Sequence, residues 1–436
     1  MKRTARGELK SEEPIEEHDS GFIGPMTLFD TFPYNDTFEE TRELNIVCSP
    51  PTATAETYTF IHNRQDYGVI RTEDIFLKAN IKLKTGNAYV ANDREVSLNM
   101  APLRFGWKSE EVYINNQLVS VQSSKENELA YFHWLLTAVP SNYKDEEKIT
   151  FMIRDTPGHF DDIDGIADGT GVNNLGMRKR KLLCTHNTPF ECIDRIDLLG
   201  YNKRFIPISL DFKIVLTRLE KTKLLLGDAT YCAAAEIPII KPNAQLSAAI
   251  NELMIQKGEE CRFYRTTHRY VAFPIPVGAR VITHRNIFNG SRPGRTVTKI
   301  VPQTVYNGAH TLNPFKIPYP TITYHAISVN EAIVPPVYRT SKESYMTLRQ
   351  ILDRRYSEMP FTYDEYVSDY GIIVNDLSPN KDGFDQVLPN VTSGNVSIEV
   401  HFRVDTTTAQ QLIIMGEFRN QLSVDYMTAA RNKVDV

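Results

Sequence analysis

Segments in which hydrophobic and polar residues alternate dominate the chain. The longest regular example covers residues 396–405, and a second covers residues 75–84. Alternation with a period of two places every second side chain on one face of a β-strand, so each segment predicts a strand with one buried face. Similar patterns predict strands at 112–121, 190–199, 210–219, 371–377 and 412–425.

The run from Phe263 to Val301 shows how these strands are connected. β-Branched and aromatic residues cluster in it, and Pro and Gly residues separate the clusters, which predicts strand, turn and strand. The run contains no metal-ligand set, nucleotide-binding loop or nucleophile motif. Because this pattern fills most of the chain, we interpret the protein as one that acts through its shape and surface.

Three segments have a helical pattern instead. Residues 127–138 place Leu129, Phe132 and Leu136 at helical spacing, which predicts a short amphipathic helix. Residues 243–257 precede Gly258, a typical helix stop, and predict a second helix. Residues 341–358 predict a third helix, with Ser341 at its start.

The order of these elements predicts an all-β fold with short helices in the loops. Antiparallel sheets with one buried face give such alternation, and many short strands are typical of sandwiches and barrels. The chain has 436 residues, which favours two domains. We predict an extended N-terminal arm over 1–43, a first sandwich over 44–243 and a second over 244–436.

Composition excludes several classes of protein. The net charge of −5 argues against a bulk nucleic-acid binder, which needs a surplus of basic residues. The five cysteines are dispersed without CxxC spacing, which favours reduced thiols. The N-terminus is charged and lacks the apolar segment of a signal peptide, and no apolar run approaches the roughly 20 residues of a membrane-spanning helix.

One acidic loop is a candidate metal site. Four carboxylates lie on a glycine-rich segment, and such oxygen ligands suit Ca²⁺. The alternative is a solvated acidic loop, since the spacing does not match an EF-hand. The residues are Asp161, Asp162, Asp164 and Asp168.

One concentrated basic run is a candidate for nucleic-acid contact or nuclear import. The alternative is a solvated junction between a loop and a strand, because the run is short and the chain is acidic. The residues are Arg178, Lys179, Arg180 and Lys181. We predict no catalytic residue and no cofactor, and we interpret Trp107 and Trp134 as core residues.

Nine segments carry a resemblance to a known family. Their distinctive features are the sequence NxQLVS, the loop before FEC, the PxGxRxIxHxNxFxG run, and the closing pattern EF-N-L-x-x-D. The segments are 74–86, 102–120, 154–162, 175–199, 210–219, 273–301, 307–315, 370–380 and 413–425. In this order they resemble the double jelly-roll major capsid (hexon-like) proteins of Polinton/Maverick elements and adintoviruses.

The resemblance implies two tandem jelly-roll β-sandwiches, a homotrimeric capsomer with a pseudo-hexagonal outline, and an icosahedral shell around double-stranded DNA. Its implied partners are neighbouring capsomers and a minor capsid (penton) protein, without sequence-specific nucleic-acid binding. Contact with packaged DNA or an internal membrane is left open. The implied location is the virion capsid, after synthesis in the host cytoplasm, with nuclear assembly left open. We expect the loops at 154–189 and 335–370 to lie at subunit contacts or on the outer surface.

Two other functions remain open at this stage. A β-sandwich carbohydrate-binding protein or glycosidase would need an aromatic platform with neighbouring carboxylates, and no residue set stands out for it. A single jelly-roll minor (vertex) capsid protein would leave about half of the chain unexplained.

Overall fold

The computed structural model describes residues 40–49, 55–63, 68–71, 75–91, 93–114, 116–120, 124–138, 149–164, 169–185, 189–196, 205–207, 211–250, 260–352, 359–378, 393–425 and 429–431. Strands dominate these residues, as the alternating patterns predict. The first group of strands is β1 (Glu40–Ser49), β2 (Thr57–His62), β3 (Gly68–Arg71), β4 (Phe76–Ile81), β5 (Lys84–Thr85), β6 (Ala88–Tyr89), β7 (Val96–Leu98), β8 (Trp107–Ile114), β9 (Gln117–Leu118), β10 (Phe190–Arg195), β11 (Phe205–Pro207), β12 (Phe212–Arg218), β13 (Leu225–Gly227) and β14 (Ile239–Ile250).

A second group of strands follows, and helices lie between strands of both groups. The strands are β15 (Glu260–Ile275), β16 (Val281–His284), β17 (Arg295–Pro302), β18 (Ile322–Val329), β19 (Ala332–Tyr338), β20 (Ile373–Asp376), β21 (Val396–Phe402), β22 (Gln410–Asp425) and β23 (Ala429–Arg431). The helices are α1 (Pro102–Phe105), α2 (Glu126–Thr137), α3 (Leu175–Thr185), α4 (Lys221–Leu224), α5 (Ala229–Ala234), α6 (Gln303–Asn307), α7 (Ser341–Ile351) and α8 (Tyr363–Ser368).

Strands of the first group pair only with one another in the described part of the chain. One path runs β10-β4-β14-β1-β2-β12-β8-β9, and all its pairings are antiparallel. Strand β1 pairs with β14 along residues 40–47 and with β2 at Cys48 and Ser49. It therefore passes from one sheet to the other, and the two sheets enclose one apolar core that includes Tyr58 and Leu77.

Strands of the second group form two further sheets. One has the order β15-β22-β17-β20, with β23 beside β22, and the other has the order β16-β21-β18-β19. Residues from both sheets, such as Ile300, Ile414 and Ile398, form a separate apolar core. Each group is therefore a β-sandwich with its own core.

A third apolar cluster lies between the two sandwiches. It combines α1 and α2 of the first group with Val297, Ile413 and Met415 of the second. These residues alternate along β17 and β22 with those that face the second core. The sheet that contains β17 and β22 is thus covered on both faces. This explains why β17 is buried from Arg295 to Val301.

The predicted helix at 243–257 is wrong over its first eight residues. Residues 243–250 belong to β14, which pairs with β1 and β4, and residues 251–257 lie outside the described residues. Pairing with strands distant in sequence outweighs the local helical preference of this alanine-containing segment. Strand β14 also crosses the predicted division at 243/244, and β1 begins at Glu40, inside the predicted arm. The rest of the arm lies outside the described residues.

The other two helices are confirmed where the structure describes them, but α2 is buried over residues 127–132 and 134–136, so it is not the amphipathic helix that the spacing predicts. Helix α2 covers Glu126–Thr137, and α7 covers Ser341–Ile351, while residues 353–358 lie outside the described part. Helix α7 starts at Ser341 as predicted, but its N-cap is Thr340, one residue before the serine that the sequence suggests for helix-start chemistry. Its hydroxyl accepts from the Glu343 backbone N–H, and the Glu343 carboxylate accepts from the Thr340 N–H, which completes a capping box.

His325 on β18 is buried in the second sandwich, and we expect its protonation to destabilise the fold in acid. The side chain is fully buried, and neither ring nitrogen has a hydrogen-bond partner among the described residues. Burial lowers the pKa of His325 from 6.5 to about 4. The unfolded chain therefore binds a proton near pH 6.5 that the folded chain accepts only near pH 4. We expect stability to fall as the pH drops through this window, by about 3 kcal/mol in total.

Urea unfolding at a series of pH values checks this expectation. The wild-type free energy of unfolding should decline between pH 6.5 and pH 4, and His325→Leu should show a flatter profile in that window. An unchanged slope in His325→Leu would contradict the assignment.

Candidate functional site

The junction between the two sandwiches is the most elaborate polar and aromatic site in the described part of the chain. Its apolar part is built on α2, whose Tyr131 and Trp134 stack with ring centroids 5.7 Å apart. Phe315 of the second group lies 4.6 Å from Tyr131 and 5.3 Å from Phe105, between ring centroids. The Tyr131 hydroxyl donates to the Phe315 carbonyl at 3.0 Å. Both Trp107 and Trp134 are buried, which confirms their interpretation as core residues.

A buried carboxylate, Asp155, joins the two sandwiches beside this aromatic cluster. Its Oδ1 accepts from Arg180 Nη2 at 2.6 Å and from Asn174 Nδ2 at 2.9 Å, both in the first group. Its Oδ2 accepts from Asn313 Nδ2 at 2.8 Å, in the second group. Arg180 and Asp155 both have fully buried side chains. A buried ion pair holds its partners in place because removing either one leaves a charge without compensation.

Local structure fixes the residues around Asp155. The Asn174 side-chain oxygen accepts from the Met177 backbone N–H at 3.1 Å, so Asn174 caps α3 while its amide group binds Asp155. Gly176 allows α3 to start against the preceding loop, because a Cβ there would lie 1.8 Å from the Arg154 carbonyl oxygen. Helix α3 thereby brings Arg180 to Asp155.

The loop from Arg154 to Asp162 makes further contacts with the second sandwich. Arg154 Nη2 donates to the Tyr370 hydroxyl at 2.9 Å, and its Nη1 donates to the Pro360 carbonyl at 2.8 Å. The Gly158 backbone N–H donates to Asp369 Oδ2 at 2.7 Å. Burial raises the pKa of Tyr370 to about 12, although Arg154 opposes the shift, so this hydroxyl stays neutral at ordinary pH. The two loops expected at subunit contacts therefore contact each other within one chain.

The structure describes three of the four acidic residues that form the candidate metal site. Asp161 accepts from Lys316 Nζ and from the Asn313 backbone N–H, both at 2.7 Å. Asp162 lies 2.7 Å from His159 Nδ1, and Asp164 is exposed. Asp168 lies outside the described residues. Those residues contain no group of three or more His, Cys, Asp or Glu side chains with metal-binding geometry. The cation site thus stays a prediction.

The basic run lies on helix α3 and not at a junction between a loop and a strand. Arg180 and Lys181 are buried, Arg178 is half-buried and Lys179 is exposed. Arg180 donates to Asp155 and, through Nε, to the Leu98 carbonyl at 2.8 Å. Its guanidinium therefore serves the junction, while a nucleic-acid or nuclear-import role for the run stays a prediction.

Sequence reasoning missed the residues that build the junction. Asp155, Asn174 and Asn313 carry no motif of their own, although Asp155 and Asn313 lie in segments that carry the family resemblance and Asn174 directly precedes another. A polar segment without periodicity is the ordinary pattern of a loop, so the sequence around Asp155 gave no local signal. Nothing in the sequence indicated that its partner would be Asn313.

The described cysteines limit the chemistry. The four cysteines with described side chains, Cys48, Cys184, Cys192 and Cys232, are buried and free of disulfides. Burial raises the pKa of Cys232 to about 12, so this thiol is not a ready nucleophile. Among the described helices, none combines the length and apolarity of a membrane span.

Comparisons with known proteins give matches in structure alone. No family model matches the sequence, and no curated protein matches it. A chain of the Sputnik virophage structure is similar with a TM-score of 0.62 and 11% identity, covering 98% of this chain and 93% of that one. The PBCV-1 virus capsid matches with a TM-score of 0.57 and 9% identity over 91% and 97% of the two chains.

The mavirus major capsid protein matches with a TM-score of 0.55 and 11% identity, over 98% of this chain and 96% of that one. The fold is a double jelly roll. This agrees with the two separate sandwich cores and confirms the predicted all-β fold class. In this double jelly roll, the aromatic cluster and Asp155 lie where one sandwich meets the other.

Proposed function

We propose that this chain is the major capsid protein of a double-stranded DNA virus or related element of the Polinton/Maverick–adintovirus type. Three copies would form a pseudo-hexagonal capsomer, and capsomers would tile an icosahedral shell. The observation that carries the proposal is the match to viral capsid chains over nearly the whole length of both proteins. The proposal includes no catalytic activity and no cofactor.

The junction supports this proposal on physical grounds. Three chains form a capsomer with a pseudo-hexagonal outline only when the two sandwiches of each chain keep the same position and orientation relative to each other. A shared aromatic cluster, and a hydrogen bond from Asn313 to the buried carboxylate of Asp155, resist relative movement, because packed interiors do not deform continuously. The resulting rigid unit presents the same edges in every copy, as closed ring assembly requires.

The division into domains is also part of the proposal. Strand β14 ends at Ile250 and β15 begins at Glu260, so we place the boundary between the two jelly rolls in 251–259. This moves the boundary C-terminal to the predicted 243/244 division. The arm would comprise the residues before Glu40.

We further propose that the chain contacts neighbouring capsomers and a minor penton protein in the virion capsid. Stable protein interfaces bury about 1,200–2,000 Å² in total, and a shell provides several of them for each capsomer. Such contacts need no covalent link between chains.

Expression of the full chain followed by negative-stain imaging tests the proposal. We expect capsomers with a hexagonal outline and, at high protein concentration, sheets or closed particles built from them. Sugar binding by a monomeric protein, without ordered particles, would contradict a capsid role and favour a carbohydrate-binding sandwich.

A further inference from the structure

Three polar side chains of one sheet point into the apolar core of the second sandwich. Thr296 and Thr298 lie on β17, on the same face as Ile300, which belongs to that core. Asn375 on β20 is the register partner of Thr296, and such neighbours have Cβ atoms about 5 Å apart. Both threonines are fully buried, and Asn375 is 1% exposed. These three side chains therefore form a polar patch in an otherwise apolar interior.

His325 points into the same core from the opposite sheet. It lies on β18 and pairs with Val400 of β21, whose side chain belongs to this core. Its ring centroid lies 5.8 Å from that of Tyr338 on β19. The Tyr338 hydroxyl donates to the Val374 carbonyl on β20, directly before Asn375. Because Tyr338 spans the core from His325 to β20, the polar side chains of the two sheets lie at the same level of the sandwich.

Five polar atoms of these residues lack a hydrogen-bond partner within the described part of the chain. They are Oγ1 of Thr296 and of Thr298, Oδ1 of Asn375, and both ring nitrogens of His325. Asn375 Nδ2 donates to the Pro336 carbonyl at 3.4 Å, so its oxygen is the unpartnered atom of the amide group. Buried polar groups in native proteins almost always have partners, and ordered water supplies those that the chain does not.

The chemistry of these atoms selects a small neutral ligand. Burial lowers the pKa of His325 to about 4, so its ring is uncharged at neutral pH, and the other three side chains carry no charge. A buried ion would therefore meet no opposite charge among these four side chains. Hydroxyl groups and a neutral imidazole both donate and accept hydrogen bonds, whereas the asparagine oxygen only accepts them. Water both donates and accepts, so it matches this mixed set.

We propose that Thr296, Thr298, Asn375 and His325 bind ordered water inside the second sandwich, and that this water joins its two sheets. None of the five atoms bonds to another, although Thr296 and Asn375 are neighbours, so their spacing suits a bridging molecule. A buried water makes about three hydrogen bonds, so these atoms suffice for one or two such molecules. The inference goes beyond the capsid assignment and does not depend on it.

Replacement of each threonine by valine distinguishes a hydrated from a dry interior. Thr296→Val and Thr298→Val nearly keep the shape of the side chain and remove the hydroxyl. If water binds there, each change removes one of its partners, and the midpoint of thermal unfolding of the full-length protein should fall by about 2–4 °C. In a dry interior, each change would remove an unpartnered hydroxyl, and the midpoint should rise. Thr283→Val, at an exposed position on β16, is the matched control and should leave the midpoint unchanged.

A double variant and a crystal structure complete the test. Thr296 and His325 lie on opposite sheets, so shared water would couple them. Thr296→Val combined with His325→Leu should lose less than the sum of the two single losses, because the first change already disrupts the shared water. A crystal structure should show water within hydrogen-bond distance of Thr296 Oγ1 and Asn375 Oδ1. A higher midpoint in both threonine variants, additive losses in the double variant, or a crystal structure without water at these atoms would overturn the proposal.

Discussion

Arg180→Met is expected to lower the free energy of unfolding by about 3–5 kcal/mol, because it leaves the Asp155 carboxylate buried without its positive partner. The change also removes the donor to the Leu98 carbonyl. Methionine fills much of the space of the arginine stem, so lost packing contributes little. Urea unfolding of the purified protein measures the difference.

Lys179→Met is the control for this experiment. Lys179 is the preceding residue on α3 and is exposed, so its replacement should change stability by no more than about 0.5 kcal/mol. If Arg180→Met and Lys179→Met proved equally mild, the buried ion pair would not stabilise the junction. The role assigned to Asp155 would then be wrong.

Phe315→Ala is expected to cost about 3–5 kcal/mol, the usual range for removal of a large buried aromatic side chain. The ring packs on Tyr131 and Phe105, which belong to the other sandwich. The cavity would therefore open between the sandwiches and leave each separate core intact. Thermal or urea unfolding gives the size of the loss.

Hydrogen exchange locates the effect of Phe315→Ala. Amides of α2 should exchange faster in the variant, whereas those of β21, which faces the second core, should change little. Val404→Ala removes an exposed side chain and should affect neither region. Uniform acceleration across both sandwiches would contradict a cavity confined to the junction.

The strands were predictable because their buried faces leave a period of two in the sequence. Strand β21 has alternating buried and half-buried residues from Val396 to Phe402, as the pattern requires. The segment at 243–250 failed because its local composition also suits a helix, and only pairing with β1 and β4 decides its structure. The position of the N-cap of α7 was predictable to within one residue.

The junction was not predictable, because its contacts join residues far apart in the chain. Asp155 and Asn313 are separated by 158 positions, and no local pattern links an aspartate to one particular asparagine. The sequence did single out Asp161 and Arg180 as charged residues in conspicuous clusters. A cluster of charged residues indicates that these residues have partners. It does not show whether the partner is a ligand, a nucleic acid or another residue of the same chain, because all three give the same cluster in the sequence.

Native mass measurement of the purified full-length chain tests the central claim most directly. A rigid pair of jelly rolls that builds pseudo-hexagonal capsomers should give a particle of three times the 49.8 kDa chain mass. A strictly monomeric protein at every concentration, or a closed pentamer, would contradict that assignment.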